Sequence, residues 1–211
     1  LLPWLAVPAS LGKLITRPWT LVTYMFLHFD FWHILFNMLW LFWFVRIFLK
    51  YLTPKQLTST YLLGGIAGAF LFVLAYNIFP GLVAYAPNAQ ALGASASVTA
   101  IVISISFYAP DYTVYLPFIG PVKIKWIAVV FIVLDILSVA SSNAGGHIAH
   151  LGGAIYGYLF AMQMKRGKDL GRRREGNRCA DTGAPEKRHA GYEPRVVRAG
   201  PVVGSSDSRL L

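Results

Sequence analysis

The chain has 211 residues, 56% of them hydrophobic, 15% aromatic and only 13% charged, a balance that argues against a soluble domain and for one bathed in lipid. Its net charge of +10 is unevenly placed: residues 1–164 hold seven Lys/Arg and three acids, and residues 165–211 hold twelve and six. A basic tail behind an apolar body points to anionic lipid headgroups rather than nucleic acid, and the lone Cys179 in that tail excludes an internal disulfide.

Residues 1–30 are rich in Trp, Pro and other aromatics and read as an outer interfacial or partly folded loop. Pro3, Pro8, Lys13 and Arg17 interrupt any signal-peptide pattern. A bilayer core of roughly 30 Å needs about 20 helical residues to cross it. Five segments approach that length, Phe31–Leu49, Thr60–Phe79, Ser95–Tyr108, Trp126–Ala140 and His147–Met164. The third is short, about 21 Å of helix, so its first residue is expected below the membrane surface. Residues 165–211 are polar, charged and punctuated by Gly and Pro, and read as a disordered tail.

The connections alternate in charge. Pro80–Ala94 and Ser141–Gly146 contain no Lys or Arg, whereas the others carry Arg46, Lys50 and Lys55, then Lys123 and Lys125, then the tail. Positive loops stay inside, so the uncharged loops face outward and the C-terminus is expected in the cytoplasm. An outside start for five spans further implies a span preceding Leu1. The expected fold is therefore an all-α, polytopic bundle over residues 31–164.

On that map the polar residues gather at one depth. His33 and Asn37, four apart on one helix face, lie at the outer end of the first span. Ser95 opens the third, and His147 and His150 open the last. Polar groups in a bilayer face one another or a water-filled cavity, so three spans build a site. A serine becomes a nucleophile when a neutral imidazole takes its proton, and a sunken helix N-terminus supplies free N–H groups for an oxyanion. His150 is the expected base for Ser95, with Asn37, His33 and the Ser95 amide as oxyanion donors. Neither Asp30 nor Asp135 stands at a clear triad position, so a Ser–His dyad is expected, with Asp135 in a helix-end or loop hydrogen bond.

Three ordered motifs carry a resemblance: "HFDFWHILFN" with His33 and Asn37, "GAS" with Gly93 and Ser95, and "HLGGAIYG" with His150, Gly153 and Gly157. Over about residues 15–164 the chain resembles the rhomboid family of intramembrane serine proteases, bacterial type. The resemblance implies a serine endopeptidase of a bacterial cytoplasmic membrane that cuts transmembrane helices of other proteins near their outer end. Its implied catalytic residues are Ser95 and His150, and its helix-packing glycines are Gly93, Gly153 and Gly157. No metal or organic cofactor is expected. Departures from the family pattern are Ala96 where glycine is common after the serine, Thr99 where an aromatic often stacks on the imidazole, and Trp19-Thr20 in place of Trp-Arg. The family core has six spans against five here.

Two other functions fit less of the pattern. A zinc site drawn from His28, His33, His147 and His150 lacks the H-E-x-x-H pattern, because "HIAH" spaces its histidines three apart with no acid nearby in sequence. A non-catalytic scaffold or chaperone for membrane helices would be marked by loss of the serine or histidine, and both are present. His28 reads as structural, satisfying loop carbonyls, and His147 as a cap or loop contact. Gly64 and Gly68 form a G-x-x-x-G packing face.

Overall fold

The computed structural model describes residues 1–116, 119–140 and 143–167. The tail expected from residue 165 onward thus lies, beyond Gly167, outside the described residues.

The first thirty residues, expected as an interfacial or partly folded loop, hold several short elements. They form α1 (Leu2–Leu5), β1 (Val7–Pro8), α2 (Leu11–Thr16), α3 (Thr20–Thr23) and a 3-10 turn, Tyr24–Phe26. Ala6, Val7, Ala9, Tyr24 and Met25 are buried, and the Tyr24 hydroxyl donates to the Gly65 carbonyl at 2.6 Å. There follow α4 (Phe31–Phe48), α5 (Pro54–Ile78), α6 (Pro80–Val83) and β2 (Gln90–Ala91), which pairs antiparallel with β1. The chain continues through α7 (Ser95–Tyr108), the hairpin strands β3 (Thr113–Leu116) and β4 (Gly120–Lys123), α8 (Ile124–Ser138) and α9 (Ala144–Lys165).

The long helices fall on the five expected segments. Among the described residues α4 and α5 are long and apolar enough to cross a membrane, and α7 is a shorter apolar helix. The largest difference is the start of α5, which begins at Pro54 rather than Thr60. A capping box sets it: Gln56 N–H donates to Thr53 Oγ1 at 3.3 Å, and Thr53 N–H donates to Gln56 Oε1 at 2.8 Å. Proline at the first helical position adds a preset φ without losing a bonded N–H. Thr53→Ala is expected to cost about 1 kcal/mol, read as a lower denaturation midpoint in detergent with no change in helix content.

At the centre stands α7, with every residue from Ala96 to Ser106 buried. Lipid gives helices no hydrophobic reason to associate, so close packing of small side chains must hold them. Two rungs of such residues run from α5 through α7 to α9. A Cβ on Gly68 would lie 2.6 Å from Ala96 Cβ, and Gly153 on the other side of Ala96 faces its carbonyl oxygen. One turn along, Gly64 abuts Ala100 Cβ, and a Cβ on Gly157 would lie 2.5 Å from the Ala100 carbonyl oxygen. Ala96, a departure from the family pattern, therefore sits where three helices touch, and its methyl fits because both flanking positions are glycine.

Candidate active site

The N-terminal ends of α4, α7 and α9 and the C-terminal half of α8 surround a cavity of about 1060 Å³. Its wall includes His33, Asn37, Ser95, Asp135, Asn143 and His150. Ser95 is the first residue of α7 and is half-buried, with Ala94 at the cap position offering no side-chain bond. The first N–H groups of such a helix have no partner within it, and the helix dipole adds partial positive charge there.

Gly93 shapes the approach to Ser95. Its φ of +129° belongs to the left-handed region, and its N–H donates to the Tyr24 carbonyl at 2.9 Å. A Cβ at this position would lie 2.9 Å from His33 Cε1, 3.0 Å from His33 Nε2 and 3.4 Å from Ser95 Oγ. Gly93 was expected in helix packing; it lies outside any helix, and what it accommodates is the His33 ring.

His33 is held from both sides. Asp30 caps α4, its Oδ1 accepting from the His33 N–H at 2.8 Å. The Phe29 N–H donates to His33 Nδ1 at 3.4 Å, which places the ring proton of a neutral His33 on Nε2, the atom beside Gly93. Asn37 is buried and donates from Nδ2 to the His33 carbonyl at 2.8 Å, which uses one amide hydrogen and leaves the second.

His150 is fixed through its other ring nitrogen. Its Nδ1 lies 2.9 Å from Asp135 Oδ1, so the ring donates there and keeps a lone pair on Nε2. Ser95 and His150 share the cavity wall, and no hydrogen bond joins them in this resting arrangement. Such bonds are often loose before substrate binds.

A family model described as the rhomboid domain matches residues 16–166. The chain belongs to the rhomboid family. This rhomboid is accordingly a helical, polytopic integral membrane protein. It is similar to the RHOMBOID-like protein 12, mitochondrial, of Arabidopsis thaliana, with 31% identity over 161 residues. That alignment covers 71% of this chain and 47% of the relative, so the chain spans about half of that protein's length.

Two side chains of this rhomboid site lie where sequence reasoning did not put them. Asp135, expected in a plain helix-end bond, lies on the cavity wall and bonds His150. His147, expected as a cap or loop contact, has its Nδ1 2.8 Å from the same Asp135 oxygen. The expected Ser–His pair thus has an acid against the imidazole. His28, expected to satisfy loop carbonyls, bonds to the Phe26 backbone and also packs edge-on to His33 with ring centroids 5.2 Å apart, while its Nε2 is buried without a partner. Burial first, then the neighbouring His33, holds its pKa below the usual histidine value. Thr99 lines the cavity one turn along α7 from Ser95, so no aromatic at that position supports the His150 ring. Asp135 does so from the side instead.

Proposed function

We propose that this rhomboid is an intramembrane serine endopeptidase that cleaves transmembrane helices near one membrane face. What supports the reading most is that Ser95, His150, Asp135, His33 and Asn37, drawn from four helices, border one cavity. As substrate approaches, Ser95 Oγ attacks a peptide carbonyl carbon while His150 Nε2 takes the hydroxyl proton. Asp135 is a positioning residue: it holds the Nδ1–H tautomer and offsets the charge on the imidazolium that forms. The carbonyl oxygen becomes an oxyanion facing the second Asn37 amide hydrogen, the His33 Nε2–H and the free N–H groups opening α7. His150 then returns the proton to the leaving amine, and a water activated the same way hydrolyses the acyl-enzyme.

The cavity volume suits an extended peptide segment rather than an intact helix, whose peptide bonds are covered by their own ladder. Substrates are therefore helices that unwind easily, with Gly, Pro or other weak helix formers near the cut. The loop charges support an orientation with the cavity on the face opposite Arg46, Lys50, Lys123 and Lys125. The tail's basic residues suit anionic headgroups.

The test is labelling of the purified full-length chain by a fluorophosphonate. A phosphonyl group located on Ser95 by peptide mass is the expected result; a folded protein that never reacts returns the scaffold reading. Asp135→Asn is expected to lower kcat by about 10²- to 10⁴-fold with KM little changed, as loss of support for a general base should. An equal rise in KM would mean instead that Asp135 shapes the substrate groove.

A further inference from the structure

The Asp135 carboxylate does something a simple relay does not require. One oxygen, Oδ1, receives two imidazoles, His147 Nδ1 at 2.8 Å and His150 Nδ1 at 2.9 Å. Donor atoms of all three residues lie within 4.8 Å of one another. All three are largely shielded, with side-chain exposures of 10% for Asp135, 23% for His147 and 21% for His150. Asp135 and His150 both line the cavity. His147 has no part in the reaction proposed above, yet it competes for the oxygen that orients the base.

Two imidazole nitrogens and one carboxylate oxygen are a donor set for zinc, which takes three protein ligands and a water in tetrahedral sites. With bonds of about 2.0–2.2 Å, tetrahedral donors stand roughly 3.4 Å apart, so each of the two oxygen–nitrogen distances needs to open by only about half an ångström, with the two nitrogens already within 4.8 Å of each other. A carboxylate between two imidazoles also supplies the negative charge that a dication requires.

We propose that Asp135, His147 and His150 form an inhibitory site for a divalent transition-metal ion, zinc by donor chemistry, which rests on the protease reading above. Each neutral imidazole now carries its proton on Nδ1. A metal on Nδ1 needs that lone pair, so the proton moves through solvent to Nε2 and the ring stays neutral. His150 Nε2 then presents a hydrogen to Ser95 in place of a lone pair. The base is occupied at one end and protonated at the other, and cleavage stops until the metal leaves. No bond to substrate is made or broken, and removal of the metal restores activity.

His147 separates this site from the catalytic residues. Full-length protein in detergent, freed of metal by a chelator, is titrated with Zn²⁺ while cleavage of a transmembrane reporter is followed. His147→Ala, with its own metal-free rate as the reference, is expected to need at least about tenfold more Zn²⁺ for half-inhibition, since even outer-shell losses weaken metal sites by that much. His147→Gln, which retains bulk and polarity, serves if the alanine variant folds poorly. Co²⁺ titration of Ser95→Ala, read by visible ligand-field absorption, reports binding without any cleavage. The tetrahedral signal is expected there and lost in the Ser95→Ala, His147→Ala double variant. His189 and Cys179 of the tail are common to every variant, so differences read this site alone. Equal Zn²⁺ sensitivity with and without His147, or no tetrahedral Co²⁺ signal, overturns the proposal. Failure of metal-free wild type to cleave counts against the protease reading, and the Co²⁺ titration still decides the site.

Discussion

Ser95→Ala is expected to abolish cleavage of a transmembrane reporter, with a loss of roughly 10⁴-fold or more in kcat, while leaving thermal stability nearly unchanged. The two halves follow from the same placement. Ser95 is half-exposed on the cavity wall, so losing its oxygen opens no hole in the core and strands no partner. In the proposed reaction its Oγ is the attacking atom, and water in its place lacks the proximity of a hydroxyl on the helix end. His150→Ala should cost about as much, and combining the two should cost little more, because nucleophile and base act as a unit. Substantial residual cleavage by Ser95→Ala would show that another group performs the attack. Zinc chelation without effect on the wild-type rate would keep that group from being a metal-bound water.

Gly153→Ala is expected to be the most damaging single methyl in the protein. Its new Cβ would run into the Ala96 carbonyl oxygen, a backbone atom that cannot rotate aside, and Ala96 is itself backed by Gly68. The added volume therefore has to separate α9 from α7, at a cost of about 1–3 kcal/mol. His150 lies three residues before Gly153 on α9, and Ser95 immediately precedes Ala96 on α7, so the separation is transmitted to the reacting pair. A displacement near 1 Å costs on the order of 10²-fold in rate. The comparison is Gly12→Ala in α2: a Cβ there meets nothing within 4 Å, so the rate should not move and stability should hold or rise by up to about 1 kcal/mol. Equal behaviour of the two variants, by denaturation in detergent and by reporter cleavage, would remove the rungs from the account of how this site is held.

Much of this was readable from residues alone, for physical reasons that differ by element. The long helices announce themselves because bilayer thickness demands uninterrupted apolar runs, and the apolar run of α7 coincides with its helix, Ser95–Tyr108. Glycines at 153 and 157, four apart, mark a contact face without any knowledge of the partner. The start of α5 is legible too, since Thr53 and Gln56 spell a capping box, but the apolar run itself begins only at about Thr60. Asp135 and His147 were not recoverable in this way. A helix that faces lipid, like α8, is apolar nearly all round, so periodicity does not say how it is rotated about its axis. Only its packing turns Asp135 toward α9. Pairing of β1 with β2 was equally hidden, because two residues on each side are too short to show alternation.

The hold of α8 on its neighbours has a further consequence. Past Ala128, Asp135 is the one buried residue of this helix, while Val133, Leu134, Ile136 and Leu137 are 46–72% exposed. The same carboxylate that aligns the imidazole thus also fastens that half of the rod. If the protease reading holds, a swing of that half of α8 that widened the cavity is expected to stretch the bond between Asp135 and His150, so that opening the mouth and aligning the base oppose each other.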